Sequence, residues 1–134
     1  MSDRVFIDSN IFLYAFSQKD IRKQNIARDL VLKPSYISIQ VINEVSKNLL
    51  YKFGLDDKDI IDFVNDAYDM YKILDIDKAV FLKSAEIRSQ YNFSYYDSII
   101  VSCAYINNCN IIYSEDMQNN FLIFDSLKIV NPFI

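Results

Sequence analysis

The chain has 134 residues, 51% of them hydrophobic and 15% aromatic, which suits one domain with a single core and excludes a disordered chain. It carries no histidine and only two cysteines, so a Ser-His-Asp triad, a Cys-His dyad, a His-ligated zinc and a four-thiolate zinc are all excluded. Any metal must then be hard and oxygen-ligated, meaning Mg2+ or Mn2+. No apolar run approaches the length of a membrane span, and no membrane partner is expected. Met1-Ser2-Asp3-Arg4 leads directly into strand-like sequence without a signal-peptide pattern. Cys103 and Cys109 read as buried free thiols, and the expected location is cytoplasmic.

Taken in order, Val5-Phe6-Ile7 reads as a buried strand ending at Asp8, and Ile11 to Phe16 as a short apolar helix. Asp20 caps a second helix over roughly 21–32, with Ile21, Ile26, Leu30 and Val31 inward, and Pro34 ends it. Tyr36-Ile37-Ser38 is a strand. Ser38 caps a helix to about Phe53 with Ile42, Val45, Leu49 and Phe53 on one face, and Gly54 suits the left-handed position after it. Asp56 opens the next helix, with a stripe of Ile60, Ile61, Phe63, Val64, Ala67, Tyr68 and Tyr71. Lys72 to Ile76 is a strand, and Asp77 caps a helix to about Tyr91 that uses Ala79, Leu82 and Ala85. Ser94 starts a helix to about Asn107, apolar nearly all round and therefore central. Ile111-Ile112-Tyr113 and Leu127 to Val130 are the last strands. Alternating strands and helices predict an α/β fold, a parallel sheet of about five strands with helices on both faces, over one domain spanning 1–134.

The net charge of −4 is uneven. Residues 56–77 hold eight acids against two bases, while residues 1–33 hold six bases against four acids. Either the N-terminal region faces a polyanion and the acidic helix faces away, or both are ordinary solvated faces.

Four acids stand at structural edges. Asp8 ends a strand, Asp116 follows another, Asp97 lies in the first turn of the buried helix, and Glu44 flanks the apolar stripe of its own. Each has a bland role as well: Asp8 as a helix cap, Asp97 in a Ser-x-x-Asp capping box, Glu44 as a surface residue and Asp116 in a turn. Clustered carboxylates repel one another, and a divalent cation relieves that repulsion. A pair of such ions can activate water and stabilise the leaving oxygen of a phosphodiester.

These segments resemble a known family. Val5 to Tyr14, with Asp8 and Asn10, is similar to the opening motif of PIN-domain ribonucleases. Ile42-Asn43-Glu44-Val45, Tyr95-Tyr96-Asp97-Ser98-Ile99-Ile100 and Ile112 to Met117 resemble their second, third and fourth motifs, in the right order. Ile129 to Phe133 resembles the C-terminal strand of the VapC-type toxin branch. The resemblance implies a PIN-like domain and Mg2+- or Mn2+-dependent endonucleolytic cleavage of an RNA substrate. It assigns the catalytic and metal-ligating positions to Asp8, Glu44, Asp97 and Asp116, and supporting polar positions to Asn10 and Ser114. Toxin members are restrained by a cognate antitoxin protein and form homodimers. Ser98 stands where many members have alanine, and Gln118-Asn119-Asn120 lacks a glycine often found there. The alternatives are a catalytically idle PIN-like module that binds a protein, and a PIN nuclease of RNA processing that is not a toxin.

Overall fold

Helices in this chain begin where a short polar side chain offers an oxygen to a free backbone N–H. The computed structural model describes residues 3–134. Asp20 caps α2 (Ile21–Val31), Ser38 caps α3 (Ile39–Tyr51), Asp77 caps α5 (Lys78–Gln90) and Ser94 caps α6 (Tyr95–Ile106), each accepting from the N–H three residues on. Asp56 and Asp59 form a full reciprocal box at the start of α4 (Asp57–Met70). Asp8 caps α1 (Ser9–Phe16), accepting from the Ser9 N–H. Gly54 has φ +68°, two residues beyond the Lys52 that caps α3. A side chain there meets open space, so the glycine is needed for its backbone and not for close packing.

The strands are β1 (Val5–Ile7), β2 (Tyr36–Ser38), β3 (Lys72–Leu74), β4 (Ile111–Tyr113), β5 (Leu122–Ile123) and β6 (Leu127–Val130). They form one sheet in the order β3-β2-β1-β4-β6-β5, parallel except for β5, which runs antiparallel to β6. The five expected strands are present, and β5 adds a sixth at the edge. It is only two residues long, too short for an alternating pattern to mark it. Helix α1 packs between α2 and α3, and α4 packs against α3, while α5 pairs with α6. Right-handed crossovers place these two groups on opposite faces. The chain leaves β1 toward β2 and β3, then returns to the other side of β1 as β4. A topological switch point therefore lies between β1 and β4, where open α/β sheets form their clefts.

Three inward faces differ from the sequence expectation. In α5 the buried residues are Val80, Ser84 and Ile87, while Ala79, Leu82 and Ala85 are exposed. Ser84 occupies a core position by donating to the Phe81 carbonyl, and a polar residue there hides the true stripe. In α2, Gln24 and Ala27 are buried and Ile21 is exposed. In α4, Ile61 and Tyr68 are exposed, so the inward face is narrower than the apolar stripe. Helix α6 is buried from Ser98 to Ala104, as its apolar sequence demands. Cys103 and Cys109 are buried free thiols, their pKa values pushed up to about 12 and about 11 by desolvation.

Candidate active site

The C-terminal ends of β1 and β4 lie side by side, with Ile7 opposite Tyr113 in register. The Asp8 N–H donates to the Tyr113 carbonyl at 3.0 Å, carrying the ladder one residue further. Beyond that bond the two chains diverge, α1 on one side and the segment from Ser114 to Asp116 on the other. Asp8, Asn10 and Ser114 are thereby buried together.

A hydrogen-bonded hub holds them. One Asp8 oxygen accepts from the Ser9 N–H at 2.8 Å; the other accepts from the Ser114 hydroxyl at 2.9 Å and the Asn10 amide at 3.3 Å. The same Asn10 nitrogen reaches Ser114 Oγ and an Asp116 oxygen, both at 3.2 Å. Asn10 Oδ1 accepts from the Glu115 N–H at 3.1 Å, and the Asp116 N–H donates to Ser114 Oγ at 3.2 Å. Asn10 and Ser114 thus fix Asp8 relative to Asp116 across more than a hundred residues of chain.

Glu44 enters from α3. One of its oxygens accepts from the Ser9 hydroxyl at 2.5 Å and the other from the Gln40 amide at 2.9 Å. Asp97 enters from the first turn of α6 and shares a cleft with Asp116. Its N–H donates to Ser94 Oγ at 3.2 Å, but the return bond that would complete a capping box is not formed, so the carboxylate is not committed to the cap.

The electrostatics tie the four acids to one locality. Burial pushes the Asp8 carboxyl up to about 7; the Ser9 N–H and the Ser114 hydroxyl oppose this, and the charges of Glu44 and Asp116 add to it. Asp97 is raised by desolvation, opposed by Ser94, and raised further by Asp116 and Glu44. Among the described residues, the ion pairs join Lys23 to Glu115 and Lys83 to Glu86, and neither involves these four acids. As the side chains stand, no three acids among the described residues are close enough to enclose one ion. Mg2+ needs only one or two protein carboxylates, with water completing its octahedron. The all-oxygen donor set, short of positive charge, fits such an ion.

Two further residues of the site, Ser9 and Gln40, bind Glu44, and the motif resemblance gives neither of them a role. Gln40 lies four residues before Glu44 on one helix, a spacing that could have signalled the contact. Ser9 meets Glu44 only through the tertiary fold.

The PIN domain family model matches residues 5–121. The chain is a PIN domain. Among solved structures, this PIN domain resembles a toxin–antitoxin complex from Klebsiella pneumoniae, with TM-score 0.71 and 18% identity over 96% of this chain and 97% of the other. It also resembles VapC20 of Mycobacterium tuberculosis, described as a sarcin–ricin loop cleaving toxin, with TM-score 0.65 and 14% identity over 84% and 89%. DNA-bound VapBC from Salmonella typhimurium gives TM-score 0.67 and 14% identity over 96% and 97%. At these identities the likeness is one of fold. No curated protein matches the chain.

Proposed function

We propose that this PIN domain is a divalent-metal-dependent endoribonuclease, the toxin of a type II toxin–antitoxin pair. The observation that carries the reading is the buried Asp8, its pKa raised to about 7, facing Glu44 and Asp116 at the switch point with no Lys or Arg paired to any of them among the described residues. Such a group of acids is stabilised by a bound cation. Asp8, Glu44, Asp97 and Asp116 would hold Mg2+ or Mn2+. The ion supplies charge neutralisation and activation of water in a chain that has no histidine to act as base. Asn10 and Ser114 orient Asp8 and Asp116 through the hydrogen bonds described above, and Ser9 holds Glu44. RNA as substrate is supported by the family and by the fold shared with a sarcin–ricin loop cleaving toxin. A cognate antitoxin protein as partner is supported by the fold shared with toxin–antitoxin assemblies, and the proposed assembly of this chain is a homodimer.

The test is cleavage of a mixed RNA substrate by the purified chain in Mg2+ and in EDTA. Cleavage in Mg2+ alone, abolished in Asp8→Asn while the circular dichroism spectrum is unchanged, is the expected result. Cutting by Asp8→Asn at the wild-type rate would overturn the assignment.

A further inference from the structure

Two clefts meet at Asp116, and their walls differ in chemistry. One, of about 380 Å³, runs beside Asn10, Tyr14 and Glu115 and carries two lysines, Lys19 and Lys52. Both lysines are exposed, and among the described residues neither is paired to a carboxylate. Lys23 stands nearby, but its ammonium is taken up by Glu115. The other cleft, of about 220 Å³, joins Asp97 and Asp116 to Phe93 and Phe121, with the amides of Asn92 and Gln118 at its walls and no cation.

We propose that a single RNA strand crosses the acids along this line, its phosphates against Lys19 and Lys52 and one unpaired base in the cleft of Phe93, Phe121 and Gln118. The inference rests on the nuclease reading and gives it a direction. Phosphates need positive charge, and in the two clefts the unpaired cations lie on one side only. A base needs an aromatic wall and amide groups for its Watson–Crick edge, and these lie on the other side. Asp116 lines both clefts, so a strand occupying both must pass the acids.

The experiment measures binding, not cleavage. Fluorescein-labelled ten-nucleotide oligo(A), oligo(U), oligo(C) and oligo(G) are titrated with the full chain in EDTA over a range of NaCl, with anisotropy as the readout. Lys19→Gln/Lys52→Gln should lower the slope of log K against log [NaCl] by about 1.4, the loss of two single-strand phosphate contacts. Gln118→Ala should leave the slope alone and change the affinity ratios among the four oligomers by about fivefold, the effect of one hydrogen bond. All three side chains are exposed, so the fold should persist. An unchanged slope in the double variant, an equal effect of Gln118→Ala on all four oligomers, or no binding by the wild-type chain would each overturn the path. A reduced slope without Mg2+-dependent cleavage would remove the nuclease reading and keep the path. Cleavage with an unchanged slope would do the reverse.

Discussion

Asp8→Asn should change the stability of the protein in EDTA in a way that depends steeply on pH. Asp8 is 4% exposed, and its pKa moves from 3.8 to about 7. A shift of that size corresponds to about 4 kcal/mol against the ionised form. The folded pKa of this acid is raised, so the native state binds more protons than the unfolded chain between those two values. Wild-type stability therefore falls as pH rises through that window and levels off above it. The asparagine variant lacks this titration. It has its own penalty, because its amide N–H2 must face a donor that now bonds an Asp8 oxygen, the Ser9 N–H on one side or the Ser114 hydroxyl and Asn10 amide on the other, at about 1–3 kcal/mol. That penalty is the same at every pH. Relative to wild type, the variant should gain about 3 kcal/mol between pH 5 and pH 8.5. Urea unfolding followed by circular dichroism across that range measures it. A stability difference that does not vary with pH, or a wild type that gains on the variant as pH rises, would refute the argument that Asp8 is held at an electrostatic cost.

Other substitutions probe the supporting structure. Asn10→Ala removes the amide that joins Asp8, Ser114 and Asp116 and should lower stability by about 1–3 kcal/mol in urea unfolding, with loss of cleavage. Asp125→Gly should raise the melting temperature modestly, by the equivalent of about 0.5–1 kcal/mol. The β5–β6 turn holds Phe124 at φ 48° and Asp125 at φ 56°, a conformation that favours glycine, and Asp125 is exposed. Lys23→Met breaks the ion pair with Glu115 and the contact with the Tyr14 hydroxyl, and should lower the urea midpoint only slightly, and less so as salt is added.

The capping residues make the helices legible from the amino-acid order alone, because a cap acts on backbone three residues away. Asp20, Ser38, Asp56, Asp77 and Ser94 all cap as their sequence positions suggest. The inward face of α5 is not legible in the same way, because Ser84 is buried on a local bond to Phe81 while Leu82 is left in solvent. Strand β5 is too short to leave a pattern, and its turn relies on Phe124 in a conformation that bulky residues avoid. That residue is held against Tyr91 and Tyr105, a tertiary effect with no local signature. At the site, Asp8 caps α1 as its position suggests, and its second oxygen also binds Ser114 and Asn10, partners that local sequence does not reveal. In the segment after Asp116, which has no glycine, Asn120 takes φ 62°, a residue type that tolerates the left-handed region. The bonds from Ser9 to Glu44 and from Asn10 to Asp116 span 35 and 106 residues, and only the tertiary fold brings them together, the first by packing α3 on α1 and the second by setting β1 beside β4.

Mn2+ binding followed by the electron paramagnetic resonance signal of the free ion tests the cation site without reference to any substrate. The wild-type chain should remove Mn2+ from solution, and Asp8→Asn and Asp116→Asn should each weaken that uptake at least about tenfold, the lower range for loss of a charged partner. Uptake equal in all three proteins, or none by the wild-type chain, would contradict the claim that these carboxylates form a single cation site.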